Sequence, residues 1–194
     1  MLPAPPLFPL VDIVTGVALL LALAYVGLVA SGIRGRVRGI KPLPALMLAA
    51  AYPEWAPVFV CWAVGDALLL DKDRFFLLGL FAFLIGHVWF IAVAGIATGI
   101  SMPGLAIGLL TAAVLVGLLW PGLRPRLRLP VVLYALSLAG VLATAIPAGK
   151  ATGAIVFLIS DAILAWNRFR KPLPRGDLWV MATYYAAIFL FARG

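Results

Sequence analysis

The sequence contains very few charged residues for its length. Only 11% of its 194 residues are Asp, Glu, Lys or Arg, whereas 65% are hydrophobic and the mean hydropathy is +1.15. Soluble domains contain about 25% charged residues, so this composition excludes a soluble globular domain. The hydrophobic residues form long runs rather than the alternating ~10-residue segments of an outer-membrane barrel. The sequence therefore predicts an all-α, polytopic membrane protein with a single transmembrane domain over residues 1–194.

Residues that bind metals are equally scarce. The chain has one cysteine, Cys61, and one histidine, His87. These residues can form neither an intrachain disulfide nor a Cys/His zinc site, and we therefore expect no metal and no cofactor. The sequence also lacks the basic face with base-reading groups that nucleic-acid recognition requires. Membrane lipids, rather than nucleic acids, are the expected partners.

Eight hydrophobic segments, separated by prolines, glycines and basic residues, predict eight membrane-spanning helices. Their ends are defined to within a few residues. The predicted spans cover about residues 10–31, 42–52, 57–70, 75–93, 103–120, 130–147, 151–167 and 178–193. The second and third spans are short, and the nearby Pro53 and Pro57 fit either a tight turn or a kink in one long helix. We favour the turn.

The basic residues are distributed unevenly between the predicted loops. If the N-terminus lies outside the cell, only Lys150 and Arg193 fall in the non-cytoplasmic segments. The cytoplasmic loops then hold Arg34, Arg36, Arg38, Lys41, Lys72, Arg74, Arg124, Arg126, Arg128, Arg168, Arg170, Lys171 and Arg175. This positive-inside bias supports eight spans, with both termini on the non-cytoplasmic side of the cell membrane. The net charge of +8 then forms a basic rim that faces anionic lipid headgroups.

Three ionisable residues, Asp66, His87 and Asp161, lie well inside the apolar segments. A charge at the centre of a membrane helix costs about 2.5–3.5 kcal/mol on insertion, and such residues usually face the bundle interior and carry function. At a rise of about 1.5 Å per residue, Asp66, Asp161, Tyr184 and Tyr185 lie about 7–10 Å from the cytoplasmic ends of their helices. His87 lies about 18 Å deep by the same rise. We therefore expect the aspartates and tyrosines at one level and His87 farther in.

Each of these residues also has a purely structural interpretation. Asp66 and Asp161 can hydrogen-bond one helix to another. His87 can be a neutral imidazole between helices, and the tyrosine pair can simply pack. Lys41, at the start of a helix beside prolines, can extend its ammonium group to the lipid headgroups. We favour function for the aspartates, because two carboxylates at one depth are well placed to share a proton.

The residues around these positions resemble the YhhN family of membrane proteins. The similar segments are Lys41–Leu46, Gly65–Leu69, Phe76–Gly79 with Phe83 and His87, Gly153 and Phe157 with Ser160–Ala165, and Thr183–Ala187. In order and spacing they cover about residues 40–190. Characterised members of the family are lysoplasmalogenases. The resemblance implies that a lysophospholipid substrate is hydrolysed at its vinyl-ether bond, giving a fatty aldehyde and a glycerophospho-base.

Hydrolysis of an enol ether suggests a role for each candidate residue. An acid must protonate the vinyl carbon, and water then captures the resulting oxocarbenium ion. Two aspartates that share one proton supply both an acid and an anion facing the cation, so we predict that Asp66 and Asp161 are catalytic, in either order. We expect them to approach directly or through one water in a cavity open to the cytoplasmic leaflet. The predicted supporting residues are His87, Ser160, Tyr184 and Tyr185, and Lys41 is predicted to bind the headgroup phosphate with nearby arginines.

Two other functions could use the same residues. A small proton-coupled transporter would also place aspartates and a histidine inside the membrane. An inverted repeat would favour transport, but the sequence shows only a partial similarity between the segments around Asp66 and Asp161, whose helices are predicted to run in the same direction. A lipid-binding scaffold without catalysis would tolerate asparagine at both positions.

Overall fold

A computed structural model describes residues 8–33, 38–71 and 73–194 of the chain. Within these residues the secondary structure is entirely helical, which confirms the predicted all-α class. The helices are α1 (Phe8–Ala30), α2 (Leu43–Ala51), α3 (Ala56–Leu68), α4 (Phe76–Thr98), α5 (Met102–Leu119), α6 (Pro125–Ala145), α7 (Ala151–Phe169) and α8 (Gly176–Arg193). Each of the eight predicted segments corresponds to one of these helices.

Five of the helices, α1, α4, α5, α6 and α7, are long and apolar enough to cross a membrane. Helices α2 and α3 have only 9 and 13 residues. A straight helix needs about 20 residues to cross the hydrocarbon core of a bilayer, so neither short helix fills its thickness alone. The chain is therefore a multi-pass membrane protein. The count of eight spans, the side of each terminus and the cell membrane as its location stay predictions.

Helices α2 and α3 form an antiparallel hairpin. A short 3-10 turn, Pro53–Trp55, connects them. Lys41 precedes the turn and Asp66 follows it at nearly equal separations along the chain, and the Lys41 Nζ lies 2.9 Å from the Asp66 Oδ1. The two helices therefore run back along each other, which confirms a turn rather than a kink at the prolines.

Two helix boundaries differ from the prediction. Helix α6 begins at Pro125 instead of near residue 130, so Pro130 lies inside the helix. Pro125 suits a first helical position because its φ is already helical and it lacks the N–H that would have no partner there. Helix α4 continues to Thr98 and ends at Gly99, whose φ of 84° is accessible to glycine at little cost.

The loops gather at two opposite ends of the bundle. At one end, Asp73 of the α3–α4 loop accepts a hydrogen bond of 2.9 Å from Arg168 near the end of α7. Gly122 of the α5–α6 loop approaches the Phe169 carbonyl so closely that a Cβ there would overlap it. We call this the basic end, because the loops after α1, α3, α5 and α7 carry most of the basic residues. Arg34, Arg36 and Lys72, and the side chain of Arg38, lie outside the described part of the chain.

At the opposite end, the backbone N–H of Ser101 donates to the Ala143 carbonyl at 2.8 Å. Lys150 Nζ donates to the Phe191 carbonyl at 2.7 Å. The α4–α5 turn, the end of α6, the α6–α7 turn and the last turn of α8 thus meet there. This grouping is the one that alternating helix directions require.

Candidate functional site

A cavity of about 290 Å³ lies between the helices in the half of the bundle nearest the basic end. Its wall is mostly apolar, with residues such as Leu119, Phe169 and Met181. Polar side chains also face the cavity, and they come from the segment before α2 and from α3, α6, α7 and α8. They are Lys41, Asp66, Tyr134, Ser160, Asp161, Asp177 and Tyr184, and Tyr25 of α1 also lines the cavity. An apolar cavity with a few convergent polar groups is the usual form of a small-molecule site.

Asp66 lies in the last turn of α3 and is 1% exposed. Its Oδ1 forms the 2.9 Å ion pair with Lys41, whose Nζ is also 3.4 Å from the Asp66 backbone carbonyl. The Tyr184 hydroxyl is the polar neighbour of this carboxylate. Neither this hydroxyl nor the other oxygen, Oδ2, has a partner within hydrogen-bond distance among the described residues. Asp66 therefore has one oxygen fixed by a cation and one oxygen available to a molecule in the cavity.

Lys41 is 4% exposed and forms part of the cavity wall. It stands immediately before α2, where Pro42 and Pro44 begin the helix. The Tyr185 hydroxyl donates to the Lys41 carbonyl at 2.9 Å and holds this segment against α8. The sequence suggested a lysine at the membrane rim. The structure buries it instead, because the Asp66 carboxylate provides the counter-charge inside the bundle.

Asp161 lies on α7 and is partly exposed to the cavity. Its Oδ2 accepts a hydrogen bond of 2.7 Å from the hydroxyl of Tyr134 on α6. Tyr134 is not among the site residues predicted from the sequence. A signal for it is present: Tyr134 and Ser137 are three residues apart in an otherwise apolar segment, a spacing that places both on one helix face.

The two predicted catalytic aspartates face the same cavity but have different partners. Asp66 pairs with Lys41, and Asp161 pairs with Tyr134. No hydrogen bond joins the two carboxylates in the part of the chain that the structure describes. Their approach through a water molecule stays a prediction. The same described residues contain no group of three or more His, Cys, Asp or Glu side chains that could hold a metal ion.

His87 lies outside the cavity lining and is completely buried. Its Nδ1 is 3.0 Å from the Ser137 Oγ, and that hydroxyl donates to the Tyr134 carbonyl at 2.7 Å. Because the Ser137 hydrogen is used in that bond, Nδ1 of His87 must be the donor. The imidazole packs 5.1 Å from the Tyr134 ring and 5.2 Å from the Phe157 ring, measured between centroids. His87 therefore stands behind Tyr134.

The remaining predicted residues divide between the cavity and the helix interfaces. Ser160 lines the cavity, and its hydroxyl donates to the Val180 carbonyl at 3.1 Å, which joins α7 to α8. Tyr184 lines the cavity beside Asp66, whereas Tyr185 does not line it. The structure thus brings Lys41, Asp66, Ser160, Asp161 and Tyr184 together and leaves His87 and Tyr185 in a supporting layer.

Comparison with known proteins gives one family and several curated relatives. The YhhN family matches residues 15–194. Lysoplasmalogenase TMEM86B of Homo sapiens is 34% identical over 163 residues, which cover 76% of this chain and 70% of the relative. Lysoplasmalogenase TMEM86B of Sus scrofa is 40% identical over 130 residues, covering 66% and 57% of the two chains.

A further relative carries the name TMEM86A. Lysoplasmalogenase TMEM86A of Homo sapiens is 30% identical over 160 residues, which cover 73% of this chain and 66% of the relative. The aligned regions therefore cover between 57% and 70% of the length of these three relatives. No solved structure matches the chain.

Proposed function

Because the chain belongs to the YhhN family, we propose that it is a membrane-embedded lysoplasmalogenase, which hydrolyses the vinyl-ether bond of a lysoplasmalogen. The products are a fatty aldehyde and a glycerophospho-base. The relatives that match it over most of its length carry the name lysoplasmalogenase. The structural observation that supports the proposal is one cavity whose lining includes Asp66, paired with an ammonium group, and Asp161, paired with a phenol.

The cavity suits an amphipathic substrate. Its apolar wall extends along α4, α5, α6 and α7, where it can hold a hydrocarbon chain. Residues near the helix ends at the basic end, such as Leu119, Phe169 and Asp177, also line it. A lysophospholipid lying in this orientation places its phosphate beside the basic loops and its vinyl ether among the carboxylates.

The partners of the two carboxylates assign different roles to them. Lys41 balances the charge of Asp66, so Asp66 acts as the ionised carboxylate. None of the Lys and Arg side chains that the structure describes forms an ion pair with Asp161, and an uncompensated second negative charge in this apolar cavity is costly. Asp161 therefore carries the proton and acts as the acid. Its Oδ2 accepts the Tyr134 hydroxyl, which leaves Oδ1 to hold the proton.

A complete cycle follows from these roles. The proton of Asp161 moves to the second vinyl carbon, and the first carbon becomes an oxocarbenium ion that faces the Asp66 carboxylate. Water adds to this carbon and gives a proton to Asp66 Oδ2, the oxygen that has no hydrogen-bond partner in the part of the chain that the structure describes. The hemiacetal then returns its hydroxyl proton to Asp161 while Asp66 protonates the departing glycerol oxygen. The aldehyde forms, and both carboxyl groups regain their starting states.

Aldehyde release from a defined substrate tests the proposed function. The purified protein in detergent is expected to convert a 1-alkenyl lysophospholipid into equal amounts of fatty aldehyde and glycerophospho-base. The matched control is the 1-acyl lysophospholipid with the same headgroup, whose ester has no vinyl carbon to protonate and is expected to stay intact. Chelators are expected to leave the rate unchanged, because the proposed cycle uses carboxyl groups alone.

Two outcomes would count against this proposal. Equal cleavage of the acyl substrate would indicate a general lysophospholipase. Absence of aldehyde, together with proton flux through the protein reconstituted in vesicles, would favour the transporter that uses the same aspartates.

A further inference from the structure

We propose that Tyr134 is a positioning residue for the acid Asp161, and that His87 holds Tyr134 in place through Ser137. This inference rests on the proposed function. It assigns to His87 a role exerted through two other side chains, without contact with the substrate. The four residues lie on three helices: His87 on α4, Tyr134 and Ser137 on α6, and Asp161 on α7.

Tyr134 is in direct contact with Asp161. The 2.7 Å hydrogen bond has the phenol as donor and Asp161 Oδ2 as acceptor. It fixes the rotation of the carboxyl group, so that the other oxygen and its proton point in a defined direction. When Asp161 has given up its proton, the acceptor of this hydrogen bond is a fully charged carboxylate, and the bond becomes stronger. The phenol therefore favours the transition state over the bound substrate.

His87 and Ser137 hold Tyr134 in position. Tyr134 and Asp161 both line the cavity, and the hydrogen bond between them lies at the cavity wall. The His87 ring packs against the Tyr134 ring at 5.1 Å. One turn along α6, Ser137 accepts the His87 Nδ1–H and donates to the Tyr134 carbonyl. His87 thus contacts α6 at two points, which fixes the angle at which Tyr134 enters the cavity.

The His87 imidazole is too enclosed to take part directly in the chemistry. His87 is 0% exposed and does not line the cavity. Its Nδ1 donates to Ser137, and its Nε2 is buried without a hydrogen-bond partner in the described residues. Phe157, Trp62 and Tyr134 pack around the ring. A group enclosed in this way acts on the reaction through the positions of its neighbours.

Kinetics of single variants test the role of Tyr134. Tyr134→Phe keeps the ring and removes only the hydroxyl. It is expected to lower kcat by about 10–100-fold, the size of a hydrogen bond to a charged group, and to change KM by less than about twofold because the bond is strengthened only in the transition state. Tyr52→Phe is the matched control. Tyr52 lies at the α2–α3 turn, outside the cavity lining, so removal of its hydroxyl is expected to leave kcat and KM unchanged.

Variants of His87 separate positioning from chemistry. His87→Asn places an amide nitrogen near the position of Nδ1 and is expected to retain most of the activity. His87→Leu removes the donor and is expected to approach the rate of Tyr134→Phe. The double variant His87→Leu/Tyr134→Phe is expected to be no slower than Tyr134→Phe alone, because both changes remove the same effect. Full additivity, or an inactive His87→Asn, would overturn the proposal.

Infrared spectroscopy gives a readout that does not depend on turnover. The carboxyl band of Asp161 is identified by its disappearance in Asp161→Asn. It is expected to move in Tyr134→Phe and His87→Leu but not in His87→Asn or Tyr52→Phe. An unchanged band in Tyr134→Phe contradicts the positioning role. A shifted band in a protein that releases no aldehyde would reject the proposed lysoplasmalogenase activity while supporting the contact network.

Discussion

The half of the bundle near the basic end is hollow, whereas the half near the opposite end is solid. In the solid half, Trp62 is 0% exposed and its ring lies 4.8 Å from Phe157 and 5.4 Å from Phe191, measured between centroids. Gly86 of α4 lies so close to the Trp62 indole that a Cβ there would be 2.7 Å from it. One turn along α7 from Phe157, Asp161 already faces the cavity. A single helix therefore contributes to packing with one turn and to the candidate site with the next.

Among the described residues, each half contains one buried lysine, and the partners of the two lysines differ. Lys150, in the solid half, is 7% exposed and donates to two backbone carbonyls, those of Phe191 and Gly194, beside the Trp55 ring. Burial lowers the pKa of Lys150, although the negative charge of Glu54 opposes this shift. Lys41, in the hollow half, pairs with a carboxylate instead. Lys150 therefore joins helix ends, whereas Lys41 maintains a charge inside the cavity.

Buried polar atoms without a hydrogen-bond partner among the described residues occur in both halves, since the Trp62 Nε1 in the solid half is one of them. The solid half pairs its lysine with carbonyl groups that helix ends leave without partners. Beside the cavity, Asp66 Oδ2 and the Tyr184 hydroxyl have no hydrogen-bond partner among the described residues. Buried polar groups without partners are destabilising. Because these two groups border a cavity, we infer that a water molecule or a substrate forms the missing hydrogen bonds with them.

The largest expected effect comes from the carboxylates of the hollow half. Asp161→Asn and Asp66→Asn keep the shape of the side chain but remove the acid and the anion. Each is expected to lower kcat by about 10²–10⁴-fold, the contribution of a positioned acid or base, with the melting temperature within a few degrees of wild type. Aldehyde release and thermal unfolding measure the two quantities. Asp73→Asn, on an exposed side chain at the basic end, is the matched control.

A structural role for the aspartates gives the opposite pattern. Asparagine would then be tolerated as a hydrogen-bonding residue, and any loss of activity would follow a loss of folded protein. If His87→Ala is inactive while either asparagine variant keeps more than about a tenth of the rate, a loss below about 1.4 kcal/mol, the imidazole is the acid or base and the assignment is wrong.

The second expected effect compares the two lysines directly. Lys41→Met leaves the Asp66 charge buried without a cation, so it is expected to lower activity by about 100-fold and also to destabilise the fold by about 3–5 kcal/mol. The double variant Lys41→Met/Asp66→Asn is expected to recover stability but not activity. Lys150→Met is expected to destabilise the protein without changing the rate per folded molecule. If Lys41→Met and Lys150→Met lower the rate per folded molecule equally, the proposed functional difference between the two halves is wrong.

Helix positions and depths could be predicted from the sequence, but rotations about the helix axes could not. Long apolar runs and their prolines predict the eight helices, because membrane helices require continuous apolar residues. The rise per residue places Asp66, Asp161 and Tyr184 at one level, and the structure finds all three in one cavity. The same calculation places Tyr185 there too. Its side chain points elsewhere because adjacent residues on a helix face directions about 100° apart.

The unpredicted contacts are all between distant segments. Lys41 reaches Asp66 only because the short α2–α3 hairpin folds back on itself, and its charge alone suggested a position at the rim. Tyr134 reaches Asp161 from a neighbouring helix, and His87 meets Ser137 across another interface. Such pairs depend on which helices are neighbours and on how they are rotated. Hydropathy and spacing along a single chain contain neither quantity.

The smallest expected effect lies at the edge of the hollow half, where the headgroup is expected to bind. Arg128, in the first turns of α6, has its guanidinium carbon 4.6 Å from the centre of the Trp120 ring. Its Nε is buried and has no hydrogen-bond partner among the described residues. Leu119 and Val131, the neighbours of this pair along α5 and α6, line the cavity. Lys41 is already paired with Asp66. Arg128 is therefore the better candidate for binding the substrate phosphate.

Arg128→Gln is therefore expected to raise KM for a lysoplasmalogen by about tenfold, the lower range for a hydrogen bond to a charged group, while kcat stays within about twofold. The exposed Arg126 provides the matched control, since Arg126→Gln changes net charge equally and leaves the Trp120 contact intact. A 1-alkenylglycerol without a headgroup separates phosphate binding from damage to the cavity, because its KM does not depend on a phosphate contact. Equal changes in KM for the two substrates would mean that Arg128 supports the fold of the α5–α6 loop rather than the headgroup. Equal changes in the Arg128 and Arg126 variants would mean that the basic rim attracts the substrate only by its overall charge, an effect that salt screens.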